Sequence, residues 1–126
     1  MKVLNIIEIA YRATLEEQDD PVVWIIHAMK GAGADHSVLL SGNAVNYAVT
    51  AQGVPPLMFG DRAQKHAPRL AEQVAGLVAK GVDVMVVREC LTERGIREEE
   101  LIGGLTMVKQ AAVPKMMGGF DQVWHW

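Results

Sequence analysis

The stretch "KGVDVMVVRECLTERGI", residues 80–96, governs how the rest of the chain is read. Gly81 closes whatever precedes it. "VDVMVV" (82–87) is a near-continuous apolar run, the pattern of a short strand covered on both faces. Cys90, the only cysteine in 126 residues, follows almost at once. This order predicts that Cys90 sits in a loop at the carboxyl end of the strand. Arg88 and Arg94 are the nearby cations, Thr92 is a candidate donor or cap, and Gly95 permits a tight turn or the close approach of a partner's backbone. A thiolate in such a loop can be held by backbone amides or by a neighbouring positive charge. Glu89 would oppose that charge if it faced inward, and it is expected to face out. The competing reading is that a lone cysteine is a small buried apolar filler.

Upstream, Ala67, Leu70, Ala71, Val74, Leu77 and Val78 recur at helical spacing, with Arg69, Glu72, Gln73 and Lys80 on the polar side, and predict a helix over 67–80. "HSVLLSG" (36–42) reads as a second strand and 43–52 as a short helix. Ser41 and Asn43 then fall at the same sheet edge as Cys90, suited to turn formation and capping or to substrate contact. In "DPVVWIIHAMKGAGA", local propensity favours a strand over Val22–Ile26. Asp20 as a cap, Pro21 at the first helical position and the stop at Gly31 and Gly33 favour a helix over 21–31 instead. Residues 2–10 supply a first strand, 105–108 a short one, 111–117 a helix and "QVWHW" a fifth strand. Alternating strands and helices predict one α/β domain over 1–126. Its architecture is a three-layer α/β/α sandwich with a mostly parallel five-stranded sheet and its loops of interest at the carboxyl edge.

Composition narrows the functional classes. With 50% apolar residues and a net charge of −3, the chain suits a packed core and lacks the broad basic surface that grips nucleic acid; Arg62, Lys65 and Arg69 have no aromatic platform among them. One cysteine forms no internal disulfide, no apolar run is long enough to cross a membrane, and Glu8 breaks the only stretch resembling a leader. A cytoplasmic protein is the expectation. "GAGADH" ends a helix instead of opening one, so it does not read as a dinucleotide loop. The four histidines and the cysteine lack metal-ligand spacing, and no metal or cofactor is implied. Apolar "GVPPLMFG" and the tryptophans of "QVWHW" are candidates for a subunit interface.

Taken together, "DP" opening a helix, "DHSVLLSGNAV", "KGVDVMVVRECLTERGI" and the closing "DQVWHW" resemble the DsrE/DsrF-like sulfur-relay family in order and spacing. The resemblance implies a small α/β domain that assembles with like subunits, as a homo-oligomer such as a trimer or hexamer. It also implies a role carrying sulfane sulfur as a cysteine persulfide between donor and acceptor proteins. Relatives that transfer sulfur carry the cysteine at the position aligned with Val87. Another branch has Cys-x-x-Cys before Arg–Gly, of which this chain keeps the second cysteine, Cys90. On the resemblance, Cys90 is the sulfur carrier, Arg94 and Arg88 favour charged sulfur, and Thr92, Gly95, Asn43 and Ser41 line the site. Two other readings stay open on the residues alone: a structural homo-oligomer, and a small-molecule or nucleotide-binding module using the same edge.

Overall fold

The computed structural model describes residues 1–11, 19–53 and 55–126. From β1 (Lys2–Ile7) the chain passes through α1 (Pro21–Gly31), β2 (Asp35–Leu40) and a 3-10 stretch (Gly42–Ala48). It continues through β3 (Met58–Phe59), β4 (Arg62–Ala63), α2 (Leu70–Ala79), β5 (Val84–Val87) and α3 (Arg88–Glu93). β6 (Thr106–Val108), α4 (Val113–Met117) and β7 (Gln122–His125) complete the order. Five strands form one sheet in the order β6-β5-β2-β1-β7, and all four pairings are parallel. Successive steps from β1 to β2, β5 and β6 run one way across the sheet, and the return to β7 runs the other way. Right-handed crossovers therefore place α1, α2 and α3 on one face and α4 on the opposite face, which makes the three layers.

Double coverage explains the strand sequences. In β1 every residue from Val3 to Ile7 is buried, and so is all of β5; a strand with helices on both sides has no wet face to mark with alternation. In α1, Asp20 decides the outcome against β-propensity. One of its carboxylate oxygens accepts the N–H groups of Val22 (2.9 Å) and Val23 (3.0 Å), Pro21 stands at the first turn, and the second oxygen accepts the Tyr47 O–H at 2.7 Å. Asp20 and Tyr47 are both fully buried, so the cap also pins α1 to the 3-10 stretch. Helix α2 starts at Leu70, later than the apolar spacing suggests, because Pro68 biases the residue before it away from helical geometry.

"GVPPLMFG" contributes half of a short hairpin that the sequence reading leaves as loop: β3 and β4 pair antiparallel, Phe59 opposite Arg62, across Gly60–Asp61. Met58 and Phe59 are exposed there, whereas Val54 of the same loop lies outside the described residues. The tryptophans of "QVWHW" are partly buried in their own chain. Trp124 packs edge-on against His36 with ring centres 5.3 Å apart, and Trp126 packs against Trp124 at 6.4 Å.

Candidate functional site

The strand β5 runs into α3 with no intervening loop. Val87 has extended geometry and Arg88 is already helical. Cys90 is therefore the third residue of a short helix, and this corrects its expected placement in a loop. The cause is visible in the spacing: Val87, Cys90 and Leu91 stand at i, i+3 and i+4 and turn one apolar face to the core, where Cys90 is 7% and Leu91 1% exposed. Gly95 ends the helix. Its φ of 66° is the left-handed conformation, and the N–H groups of Gly95 and Ile96 return to the carbonyls of Thr92 (3.1 Å) and Leu91 (3.0 Å), the double closure typical of a glycine-stopped helix. Gly95 thus shapes α3, with open space where a side chain would stand.

The sulfur meets the turn after β2. Gly42 donates its backbone N–H to Cys90 Sγ at 3.3 Å, and Ser41 Oγ lies 3.9 Å from the same atom. Gly42 has φ 53°, and Ala44, two residues on, donates its N–H to the Glu8 carbonyl at 3.2 Å. Three strand ends, those of β1, β2 and β5, therefore converge where this N–H is aimed. A donor of this kind strengthens as its acceptor gains negative charge.

Arg94 and Asn43 close the outer side. The guanidinium donates Nε and Nη2 to Asn43 Oδ1 (3.1 and 2.9 Å) and Nη1 to the Cys90 carbonyl (3.1 Å), and it also lies 3.5 Å from Glu93. Arg94 therefore ties α3 to the 41–43 turn through the peptide oxygen of Cys90, and its hydrogen bonds go there, not to the sulfur. Asn43→Ala is expected to cost less than about 1 kcal/mol in denaturant unfolding, the scale of an exposed polar contact. Arg88 is drawn off to Glu98 at 2.9 Å, both half-exposed, and the Thr92 hydroxyl donates back to the Arg88 carbonyl at 3.4 Å. Glu89 accepts the Gln110 N–H at 2.7 Å. That bond holds its carboxyl below the ordinary carboxylate range, helped by its own backbone N–H and by Arg88 and Lys109.

Of the residues read from sequence, the structure gathers Cys90, Ser41, Asn43 and Arg94 and leaves Arg88, Thr92 and Gly95 to build and tether the helix. Gly42 went unnoticed because a glycine that contributes only an N–H carries no side-chain signal. A separate cleft of about 890 Å³ lies between α1, α2 and the segment leading into α2, lined by His27, Thr50, Gln64, Lys65, His66 and Arg69 among others. None of the Cys90 cluster borders it. Among the described residues there is no group of three or more His, Cys, Asp and Glu placed to hold a metal ion, and no helix is long and apolar enough to cross a membrane.

These features define a small parallel α/β protein with its one cysteine gathered at the carboxyl edge of the sheet. The chain belongs to the DsrE/DsrF-like family, whose model matches residues 9–123. Among solved structures, the ychN protein from E. coli superposes with a TM-score of 0.72 at 18% identity, covering 100% of both chains. A protein of unknown function, MTH1491 from Methanobacterium thermoautotrophicum, gives 0.62 at 13% identity over 97% of this chain and 96% of that one. At such identities the likeness is one of fold. No curated protein matches the chain.

Proposed function

We propose that the protein is a sulfur carrier that holds sulfane sulfur as a persulfide on Cys90. The observation that carries the reading is the Gly42 N–H directed at Cys90 Sγ, 3.3 Å away, at the carboxyl edge of a DsrE/DsrF-like sheet. In the loading step, the Cys90 thiolate attacks the outer sulfur of a donor persulfide. The donor's S–S bond breaks, its thiolate leaves, and Cys90–S–S⁻ forms. An acceptor thiolate then attacks the outer sulfur, the new S–S bond breaks, and the Cys90 thiolate returns. Each transfer is balanced, with no external oxidant or reductant. Because Cys90 is only 7% exposed, loading requires the 41–43 turn to part from α3.

That same burial favours a second reading, in which Cys90 is a packing residue whose sulfur accepts the Gly42 N–H and nothing more. One experiment separates the two. Purified protein is treated with a small persulfide donor and analysed by intact and peptide mass spectrometry. The carrier predicts a gain of one sulfur atom on Cys90, reversed by thiol reductant and by an acceptor thiol, and absent from a folded Cys90→Ser variant. A native protein that takes up no sulfur from any donor, and whose thiol resists alkylation until unfolding, is the packing case.

A homo-oligomer, a trimer or hexamer on the family resemblance, is part of the proposal. Trp24 (57% exposed), Met58 (62%) and Phe59 (63%) are large apolar groups left uncovered in the single chain. Light scattering at micromolar concentrations is expected to give a multiple of the 13.8 kDa chain mass; monomer mass throughout removes this part.

A further inference from the structure

On one face of the sheet, remote in chemistry from the cysteine, Asn5 is buried between two aromatic partners. Its Nδ2 lies 3.2 Å from the Ser37 carbonyl and 2.9 Å from His36 Nδ1, and its Oδ1 accepts the Trp126 indole N–H at 3.2 Å. The orientation of this amide is fixed by chemistry. A carbonyl oxygen only accepts and an indole N–H only donates, so Oδ1 must face Trp126 and the NH₂ must face Ser37. The second N–H of the amide is then directed at His36 Nδ1, which must offer a lone pair. His36 is therefore neutral, with its proton on Nε2.

A proton on Nδ1 would set two donors against each other inside the protein. Turning the Asn5 amide over gives the buried imidazolium a charge-assisted acceptor and removes that clash. It gives up the Ser37 bond and takes from the Trp126 N–H its acceptor, two neutral bonds set against an otherwise unpaired buried charge. We propose that His36, Asn5 and Trp126 form an acid-released clasp, in which a proton on His36 turns the Asn5 amide and frees the Trp126 indole from β1. What is released matters to the edge of the sheet, because Trp126 extends β7: its backbone N–H reaches the Ile6 carbonyl (2.9 Å) and its carbonyl accepts the Glu8 N–H (3.0 Å).

The electrostatic surroundings support the direction. His36 is 3% exposed, and burial holds its imidazole below the ordinary value of 6.5, opposed by the adjacent Asp35 carboxylate. Asp35 is the charged group whose field reaches the ring. Of the neighbouring titratable groups, Asp121 accepts the Lys2 backbone N–H, Lys2 itself is exposed at the start of β1, and His125, alternating with the two tryptophans on β7, bonds Glu8 at 2.9 Å. With the folded value depressed, the unfolded chain binds the proton more readily. Stability is complete above 6.5 and falls as pH drops from there through the folded value.

The test is an NMR titration of the full chain from about pH 8 to about pH 5, following the three indole N–H resonances, assigned by single Trp→Phe changes, and the His36 ring protons. The expected result is that the Trp126 indole shifts and loses protection from solvent exchange with the same midpoint as His36, below 6.5. His36→Gln, which keeps an acceptor but cannot titrate, should leave the Trp126 indole flat, while His125→Gln should leave its titration intact. By linkage, Trp126→Phe should raise the His36 midpoint, because Asn5 Oδ1 is then free to turn. Any of three results overturns the clasp: His36 titrating while the Trp126 indole stays fixed, no titration of His36 before acid unfolding, or an unchanged His36 midpoint in Trp126→Phe. Should His36→Gln fail to fold, the wild-type titration and the Trp126→Phe arm decide alone.

Discussion

Asp20→Ala is expected to lower the stability of the fold by about 3 kcal/mol, as the sum of a lost helix cap and a broken buried hydrogen bond to a charged group. Asp20 is fully buried and accepts from three donors at once: the N–H groups of Val22 and Val23 and the O–H of Tyr47. Alanine strands the first two in the interior at the start of α1 and deprives Tyr47 of its carboxylate. Asn in the same place keeps an oxygen for the cap but presents NH₂ toward Tyr47, so Asp20→Asn should cost about a third as much. Denaturant unfolding of the two variants side by side checks the partition. Equal losses would mean that the cap is immaterial and that the contact with Tyr47 carries the effect.

The second large effect is expected at Gly42. At φ 53° a Cβ meets the following carbonyl oxygen, which costs about 1–2 kcal/mol for an L residue. The space beyond is not prohibitive, since the added atom would lie 3.4 Å from the Glu8 carbonyl oxygen. Gly42→Ala should therefore fold, with the strain relieved by moving the turn away from α3. The informative readout is native-state alkylation of Cys90, expected to accelerate about tenfold or more, in line with a local opening made easier by more than about 1.4 kcal/mol. Stability that falls with no change in alkylation would place the access route to sulfur somewhere other than this turn.

Much of the architecture is legible in the chain because its punctuation is chemical. Asp20–Pro21 marks the start of α1 strongly enough to outweigh the strand-like Val22–Ile26, and the apolar spacing of Leu70, Val74 and Leu77 marks α2. The helical placement of Cys90 was also written there, in the i, i+3, i+4 spacing of Val87, Cys90 and Leu91 and in Gly95, which fits a helix stop as well as a turn. It was obscured because β5 and α3 abut, so that one apolar run serves two periodicities. Trp124 and Trp126, candidates for a subunit interface on the sequence, also pack within the chain, against His36 and Asn5, partners far away in the sequence that leave no local signal. The cluster around Cys90 was legible wherever a side chain takes part. Gly42 was missed because its contribution to the sulfur is a main-chain N–H.

The position of β7 beside β1 has a kinetic consequence. Val3 pairs with Gln122 and Ile6 with His125, so this pairing closes a loop of almost the whole chain, while β1 with β2 and β5 with β6 join segments much nearer in sequence. Loop closure over such a separation is entropically late, and contacts of this range slow folding. During synthesis the four strands β6-β5-β2-β1 can assemble first, leaving the apolar β1 as an open edge until residues 122–125 have emerged. Between the completion of β6 and the emergence of residues 122–125 the nascent chain therefore carries a strand-shaped adhesive edge, which β7 then covers.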